Sequence, residues 1–422
     1  MTLASPTPNG TDPSRDVRMR GFVQRSEVEA VLTWIDANAC RNGAEATQVD
    51  EAGFRVLAED IVAGLDVPEF DRSAMDGYAV QASSTEGAGD YNPISLRLVG
   101  EAFPASPFVG SVDPGTTVRI MTGAPIPDGA DSVVPAEYAN PRPDSVELTQ
   151  AASPGKHIGR IGEDIRRGSI PLGAGRILRP QDLGLIASLG ISTFQVVRRP
   201  RVRLIVTGNE VVPPGMAKDP YQIFDANSSV LRALVARDGG VLESHLRLPD
   251  DPRRLREALV VPGADVILVS GGSSVGAEDH APRLVAELGV LPIHGVAMRP
   301  SSPAGVGKIN NALVFLLPGN PVSCLCAYDF FAGRAIRLCG GRSSDWPYQS
   351  RLARLSRKLS SVIGRVDYCR VRFEEDGRIE PLALSGASIL SSTVRADGFV
   401  VAPAFSEGYG VDEEVLVYLY DK

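Results

Sequence analysis

The stretch Asp265-Val-Ile-Leu-Val-Ser-Gly-Gly-Ser-Ser-Val-Gly276 decides the fold class of this 422-residue chain. A short apolar run leads directly into a turn made of glycine and serine. Two further segments follow the same plan, namely Arg203-Leu-Ile-Val-Thr-Gly-Asn-Glu210 and Leu313-Val-Phe-Leu-Leu-Pro-Gly-Asn-Pro-Val-Ser323. Near-continuous apolar runs separated by helical stretches are typical of a parallel sheet that is covered on both faces. Residues 201–345 are therefore predicted to form a βαβ module.

The rest of the chain differs in pattern from this module. Residues 25–39 place apolar side chains on one helical face, which predicts an amphipathic helix. Elsewhere, short β-rich runs alternate with proline and glycine turns. The predicted regions are a disordered tail (1–20), a connecting region (21–55 with 151–200), a β-rich region (56–150) and a small C-terminal β-domain (346–422). The sequence thus predicts a multidomain α/β protein.

Composition and charge exclude several classes of function. The net charge of -8 argues against general nucleic-acid binding, which needs a basic surface. The five cysteines contain no C-x-x-C pair, so neither a zinc site nor a disulfide framework is indicated, and a reducing cytoplasm fits best. No apolar run approaches the roughly 20 residues that a bilayer-spanning helix needs, and no signal peptide is expected.

The glycine turns of the βαβ module predict an anion site. Parallel α/β sheets bind ligands outside the carboxyl ends of their strands, where the three turns are expected to meet. Glycine allows a close approach of the backbone, whose N–H groups can then face a phosphate. One such turn alone is weak evidence, but three on one sheet are stronger. The candidate residues are Ser270, Gly271, Gly272, Ser274, Pro318, Gly319 and Asn320.

Acidic residues recur beside these turns and leave two interpretations open. Glu210, Asp225 and Asp279 offer carboxylate oxygens, which Mg²⁺ prefers together with phosphate oxygens and water. The alternative for Asp225, and for the neighbouring Asn227, is a helix N-cap. Asp279 could likewise cap the helix that follows it. In the β-rich region, the acidic stretch from Asp71 to Val80 is either a ligand loop or an ordinary solvated face.

Taken in order, these motifs resemble the molybdopterin molybdenumtransferase family, which includes MoeA and the gephyrin E-domain. The matching segments are Phe70-Asp-Arg-Ser-Ala-Met-Asp-Gly-Tyr-Ala-Val80, Arg119-Ile-Met-Thr-Gly-Ala-Pro-Ile-Pro127, Gly162-Glu-Asp-Ile165, Thr207-Gly-Asn-Glu210, Ser270-Gly-Gly-Ser-Ser-Val-Gly276 and Leu317-Pro-Gly-Asn-Pro-Val-Ser323. They cover the chain from about residue 25 to its end. The first, fifth and last of them are long and specific.

The resemblance implies a fold and an activity. Members of the family take adenylylated molybdopterin and molybdate, release AMP, place molybdenum on the dithiolene and usually use Mg²⁺. The implied fold has a helical linker domain, a β-rich inserted domain, a βαβ molybdopterin-binding domain and a C-terminal β-barrel. A homodimer whose clefts are lined by both subunits is also implied, as is possible contact with the molybdopterin adenylyltransferase that delivers the substrate.

The resemblance also implies roles for individual residues. Asp71, Glu210 and Asp279 would be catalytic, and Asp279 with Glu210 would hold the metal. The cofactor-binding positions would be Thr122, Asp225, Ser270, Gly271, Gly272, Ser274, Arg299, Ser302, Pro318, Gly319 and Asn320. Asp71 and Thr122 would come from the inserted domain, reaching the cleft of the opposite subunit.

One departure from the family pattern affects the anion site. Where the family usually has Lys-Pro-Gly-Lys-Pro, this chain has Arg299-Pro-Ser-Ser-Pro303. Arg299 can still pair with an oxyanion through a two-pronged fork, whereas Ser302 offers only a neutral hydrogen bond. Two alternatives to the family reaction therefore stay open. The chain could be a pterin-binding scaffold without turnover, or a transferase that prefers tungstate.

Overall fold

The computed structural model describes residues 25–272, 279–383 and 386–420. The predicted tail at 1–20 and the candidate residue Ser274 lie outside the described residues. The chain forms two compact units. One contains Ala46–Gly53 and Leu57–Gln195, and the other contains Phe54–Val56, the chain up to Glu45 and the chain from Val196 onward.

In chain order, the helices are α1 (Val28–Asn38), α2 (Pro180–Ser188), α3 (Asn227–Arg237), α4 (Pro252–Val260), α5 (Ala281–Leu288), α6 (Pro321–Ala327), α7 (Gly333–Cys339) and α8 (Ser391–Val394). The strands up to residue 197 are β1 (Ala44–Gln48), β2 (Arg72–Ser73), β3 (Gly77–Val80), β4 (Ile94–Ala102), β5 (Thr116–Ile120), β6 (Ser132–Pro135), β7 (Ala139–Pro141), β8 (Ser145–Leu148), β9 (Ile158–Gly159) and β10 (Thr193–Val197).

The later strands are β11 (Arg201–Thr207), β12 (Val211–Val212), β13 (Ile223–Phe224), β14 (Val241–Leu248), β15 (Val266–Ser270), β16 (Val290–His294), β17 (Met298–Arg299), β18 (Gly305–Ile309), β19 (Ala312–Leu317), β20 (Ser350–Arg354), β21 (Leu359–Ser360), β22 (Val366–Phe373), β23 (Ile379–Ala383), β24 (Gly398–Ala402), β25 (Gly408–Tyr409) and β26 (Glu414–Leu419). A π-helical turn, Tyr328–Ala332, joins α6 to α7.

The unit that contains Leu57–Gln195 is built on a six-stranded sheet with the order β6-β3-β5-β4-β8-β7. Its pairs are antiparallel except for β4 with β5. Apolar side chains are buried on both faces of this sheet, in one cluster around Val118 and Ile120 and another around Leu96 and Val134. The prediction that the protein contains a β-rich domain is therefore confirmed.

The other unit contains a mixed sheet with the order β14-β11-β15-β19-β18-β16. The first four strands are mutually parallel, and β18 pairs in antiparallel fashion with both β19 and β16. Alternate residues of β15 enter opposite cores, since Val266 and Leu268 join one cluster while Ile267 and Val269 join another. This double burial explains the continuous apolar run in the sequence. The predicted parallel-rich sheet is confirmed.

The C-terminal strands form a second sheet of this unit, with the order β17-β22-β24-β26-β20 and with β23 on β22. An isolated bridge joins Leu355, just beyond β20, to Ile379 at the start of β23. Tyr368 and Phe399 from this sheet belong to the same buried cluster as the βαβ strands. The two sheets therefore share one hydrophobic core. In the described part of the chain, no helix is long and apolar enough to cross a membrane.

Candidate functional site

The carboxyl ends of β11, β15 and β19 lie side by side. Val206 is in register with Ser270, and Ser270 is in register with Leu317. The N–H of Gly271 donates to the carbonyl of Leu317 at 3.2 Å, which joins two of the turns directly. We call this region the glycine edge; it consists of residues 207–210, 270–272 and 318–320. The predicted meeting of the three glycine turns is thus observed.

Close backbone packing makes glycine necessary at two positions of the glycine edge. Gly271 has φ of 92°, and a Cβ there would lie 2.4 Å from the carbonyl oxygen of Thr207. Gly272 has φ of 57°, and its Cβ would lie 2.9 Å from Thr207 Oγ1. Gly319 is different, because a Cβ would lie 3.7 Å from Gly271 Cα, an ordinary contact. The backbone thus forms a tight floor, as expected for a site that a ligand approaches closely.

Asn227, the first residue of α3, connects two of these turns. Its Nδ2 donates to Ser270 Oγ at 2.9 Å and to the carbonyl of Gly319 at 2.8 Å. Its Oδ1 is buried and has no hydrogen-bond partner among the described residues, and the same holds for Oγ1 of Thr207. Buried polar atoms without partners are rare and point to a missing ligand group or water. The sequence predicted at most a cap at Asn227, because no motif signals its cross-strand contacts.

Asp225 serves as the anchor of α3. The buried carboxylate accepts hydrogen bonds from the N–H and Oγ of Ser228, at 2.9 and 2.5 Å, and from Arg247 Nε at 2.6 Å. Burial raises its pKa, but the Ser228 hydrogen bonds and the Arg247 charge outweigh that effect, so the pKa of Asp225 is lowered overall. These contacts support the helix-cap interpretation of Asp225 over direct ligand binding.

The two predicted metal ligands lie at separate turns of the same unit. Glu210 is exposed, and its carboxylate folds back over the turn so that Oε2 would contact a Cβ on Gly208 at 2.8 Å. Asp279 is half-buried and immediately precedes His280, the residue before α5. The described residues contain no group of three or more His, Cys, Asp or Glu side chains placed to hold a metal ion. A metal ion held by these two carboxylates would also need oxygen atoms from a bound substrate or from water.

Asp71 and Thr122 lie in the other unit, on two loops that are joined to each other. Asp71 accepts from the N–H of Ile161 at 2.9 Å and from Arg160 Nη1 at 2.6 Å. The Ile161 bond and the Arg160 contact together lower the pKa of Asp71, against the opposing effect of burial. Thr122 donates from its N–H and Oγ1 to Asp76 at 2.6 and 2.8 Å, and lowers the pKa of that carboxyl. Both candidates are thus held in defined positions within their unit.

A cavity of about 720 Å³ lies beside the glycine edge and shares Pro318 and Asn320 with it. Three arginines line it, Arg25, Arg299 and Arg365, and we call it the arginine cavity. None of the described residues that line it is acidic. Ser302 also lines it, and its buried Oγ has no hydrogen-bond partner in the described part of the chain. A cationic, acid-free cavity favours an anionic ligand.

The guanidinium of Arg299 is already engaged on one side. Its Nε and Nη2 donate to the two carboxylate oxygens of buried Asp367 at 3.1 and 2.6 Å. The two-pronged fork that the sequence assigns to an oxyanion is therefore occupied by a carboxylate of the protein, while Nη1 lies outside this pairing. Asp367 was not identified from the sequence, because no local motif marks it.

Comparisons with known proteins agree with these observations. Three protein-family models match the chain. Residues 26–190 match the MoeA N-terminal region (domain I and II), and residues 203–337 match a probable molybdopterin binding domain. Residues 352–420 match the MoeA C-terminal region (domain IV). The chain is 40% identical over 325 residues to molybdopterin molybdenumtransferase 2 of Mycobacterium tuberculosis, covering 75% of this chain and 80% of that protein. It is 33% identical over 368 residues to the Haemophilus influenzae molybdopterin molybdenumtransferase, covering 85% and 89%.

Two crystal structures of a MoeA protein from Pyrococcus horikoshii have the same fold, with TM-scores of 0.79 and 0.77 at 31% and 30% identity. Each covers 94% of this chain and 100% of the solved chain. The chain belongs to the molybdopterin molybdenumtransferase (MoeA) family. The resemblance that the motifs predicted is confirmed.

Membership of the MoeA family clarifies how the two parts of the site are arranged. The whole glycine edge falls within the matched molybdopterin-binding domain, at residues 203–337. The arginine cavity also takes residues from the matched C-terminal region, including Arg365 and Gly386. The backbone-built glycine edge and the charged arginine cavity therefore meet at Pro318 and Asn320.

Proposed function

We propose that this chain inserts molybdenum from molybdate into adenylylated molybdopterin and releases AMP, as a molybdopterin molybdenumtransferase in molybdenum cofactor biosynthesis. The observation that carries this proposal is the contiguity of the glycine edge and the arginine cavity through Pro318 and Asn320. A phosphorylated pterin on the edge would bring its reacting sulfur atoms toward an oxyanion held in the cavity.

The glycine edge suits the phosphate-bearing part of the substrate. Gly271 and Gly272 let a ligand approach the backbone closely, and backbone N–H groups in such turns favour anions. Asn227 Oδ1 and Thr207 Oγ1, which have no hydrogen-bond partner among the described residues, add acceptor capacity at the same edge. Polar groups of the pterin could satisfy them, which would orient the ring relative to the cavity.

The arginine cavity suits molybdate. A divalent oxyanion would gain charge-assisted hydrogen bonds from guanidinium N–H groups, which are about twice as strong as neutral ones. Ser302 Oγ, buried and without a partner among the described residues, could donate one further bond. The cavity thus offers donors and positive charge, with no acid among its described lining residues to repel an anion.

Mg²⁺ is part of the proposal through Glu210 and Asp279. Two carboxylates with phosphate oxygens and water form a donor set that Mg²⁺ accepts, and neither the fully engaged Asp225 nor a larger acidic cluster is needed. When bound, the ion would neutralise charge on the phosphoanhydride during cleavage. Glu210, exposed at the end of β11, is accessible to such an ion.

Several finer features are proposed from the family resemblance. They are a helical linker domain, closure of the C-terminal sheet into a β-barrel, a cytoplasmic location, contact with the adenylyltransferase, and a homodimer in which Asp71 and Thr122 reach the cleft of the opposite subunit. The bridge between Leu355 and Ile379 supports the barrel, because it links β20 to β23 at the open side of the strand order.

The test is AMP release from adenylylated molybdopterin with molybdate and Mg²⁺. We expect release to require all three, and Asp279→Ala to reduce its rate by roughly 100-fold or more, as expected for loss of a group that stabilises transition-state charge. Asp376→Ala is the matched control, since Asp376 is an exposed acid in a turn between β22 and β23. Full activity in Asp279→Ala would remove Asp279 from the site.

A second candidate function is a pterin-binding scaffold without turnover. The neutral Ser302, at a position where the family usually has a lysine, favours it, because one cationic group is missing from the oxyanion site. Calorimetric binding of molybdopterin without any AMP release would support the scaffold. Running the release assay with tungstate and molybdate in competition would also reveal whether tungstate is preferred.

A further inference from the structure

Asp367 lies at the centre of the polar groups behind the arginine cavity. Its side chain is fully buried, with 0% exposure, whereas Arg299 and Arg365 are each 31% exposed and line the cavity. Arg299 donates two hydrogen bonds to it. Arg365 forms an ion pair with it, in which Nε lies 3.1 Å from Oδ1 but makes no hydrogen bond to any described residue, so the attraction there is that of the charges. Ser361 Oγ donates a further bond at 2.8 Å. One hidden carboxylate therefore holds two cavity-lining cations.

The backbone fixes this carboxylate relative to both arginines. Arg299 of β17 is directly in register with Asp367 of β22, and on the other side Asp367 pairs with Ala402 of β24. Arg365 lies in the bend just before β22, two residues before Asp367 in the chain, and its ion pair with Asp367 holds it beside the same carboxylate. Both guanidinium groups are thus anchored from behind.

The guanidinium N–H groups that do not bind Asp367 indicate a role in ligand binding. Nη1 of Arg299 and both Nη atoms of Arg365 make no bond to Asp367, so the trio keeps donors and a net charge of one positive unit. Arginine side chains are flexible, and two like charges that line the same cavity repel each other. A carboxylate between them overcomes that repulsion and limits the rotamers that each can adopt, which preorganises an anion site.

We propose that Asp367 is a positioning residue that sets the oxyanion affinity of the arginine cavity by orienting Arg299 and Arg365. It does not contact the oxyanion itself. This inference rests on the proposed function in one respect, namely that the cavity receives molybdate. It also explains how a chain with Arg299 and Ser302 in place of the two family lysines retains an ordered cationic site.

The experiment measures binding of molybdate alone to the full-length protein by calorimetry, with AMP release as a second readout. We expect Asp367→Asn to weaken molybdate binding by about tenfold or more, the effect of losing well-placed charge-assisted hydrogen bonds. The KM for adenylylated molybdopterin should change less than twofold, because the glycine edge does not contact Asp367. Asp376→Asn, an exposed acid in the same sheet region, should leave both constants unchanged.

A double-mutant cycle separates positioning from general structural support. In a protein that already carries Arg299→Ala and Arg365→Ala, adding Asp367→Asn should weaken molybdate binding no further. A full additional loss there, or equal changes in the constants for both substrates, would overturn the proposal. If Asp367→Asn loses its thermal unfolding transition, Ser361→Ala replaces it. We expect that variant to weaken molybdate binding about twofold to threefold, because Asp367 loses one of the hydrogen bonds that fix its orientation. Unchanged binding would equally overturn the proposal.

The two readouts also distinguish this inference from the proposed function. Wild-type protein that binds molybdate but releases no AMP would contradict the transferase reaction, while the effect of Asp367→Asn on binding could still be measured. Wild-type protein that binds no molybdate would overturn the role of Asp367, even if AMP release were observed by another route.

Discussion

The glycine edge and the arginine cavity are neighbours, but they are built in different ways. The edge is formed by backbone turns that follow three adjacent parallel strands, and its tight contacts join Gly271 and Gly272 to Thr207. The cavity depends on charged side chains, and its central pair, Arg299 and Asp367, is separated by 68 positions in the sequence. The comparison teaches that a site built from the backbone tolerates almost no added side-chain volume. In a site built from charged side chains, by contrast, ligand affinity depends on which ion pairs those side chains form.

The largest expected effect tests the rigidity of the glycine edge. Gly271→Ala should destabilise the protein by about 3 kcal/mol, because the new Cβ meets a backbone oxygen at a positive φ. Gly319→Ala is the matched control and should cost at most about 0.5 kcal/mol, since its Cβ finds ordinary contacts. Thermal unfolding of the full-length variants measures both. Equal losses would show that the edge is less tightly packed than its geometry indicates.

The second prediction concerns the ion pair between Asp225 and Arg247, which anchors the start of α3. The Asp225→Asn substitution should lower the free energy of unfolding by about 2 kcal/mol above pH 5, because it weakens the hydrogen bonds to Arg247 and Ser228. The pKa of Asp225 is lowered in the folded protein, so its contribution is complete above the unfolded pKa, near 3.9, and disappears as pH falls through the lower folded value.

Urea unfolding at a series of pH values measures this difference. The stabilities of the wild type and Asp225→Asn should converge as the solution is acidified. Asp219→Asn, an exposed acid in the preceding loop, should behave as the wild type throughout. A constant gap down to the lowest accessible pH would mean that the charge of Asp225 does not stabilise the fold.

The smallest expected effect sharpens the description of the cavity. Ser302→Ala should change stability by less than about 1 kcal/mol, because the hydroxyl that it removes is buried without a partner in the described residues. Ser301→Ala, by contrast, removes a 2.6 Å bond to the carbonyl of Ser323 and should cost about 1 kcal/mol.

Molybdate binding should follow the opposite order for these two serines. Ser302→Ala is expected to weaken it by up to about tenfold through loss of one donor, and Ser302→Lys to strengthen it by adding a charge. Calorimetry with molybdate measures both changes. A larger loss of molybdate affinity in Ser301→Ala than in Ser302→Ala would show that Ser301, and not Ser302, is the donor.

The parts of the fold that the sequence predicts well are those with two buried faces. The three apolar runs correspond closely to β11, β15 and β19, and the helix expected at 25–39 is observed as Val28–Asn38. The remaining strands of the βαβ sheet were not predicted. β14 is an edge strand with charged and polar residues at alternating, half-exposed positions, and β18 contains two glycines, so neither resembles a continuous apolar run.

The candidate site shows the same limit of local patterns. The glycine turns could be predicted because each belongs to one strand end, and the rule for parallel sheets brings them together. Asn227 and Asp367 could not, because their importance arises from partners on other strands. The roles of Glu210, Asp279, Asp71 and Thr122 remain predictions, and AMP release by the Asp279→Ala variant tests that of Asp279.

The two-residue strand β17 has a practical consequence for how this enzyme can be divided. It leaves the chain segment of the βαβ module and pairs with β22, where Arg299 meets Asp367 and the N–H of Val366 donates to the carbonyl of Ala297. A fragment that ends at residue 345 would therefore lose the strand partner of β17, the carboxylate that holds Arg299 and part of the shared core. Chimeras that join two homologues at that boundary should be less stable than either parent.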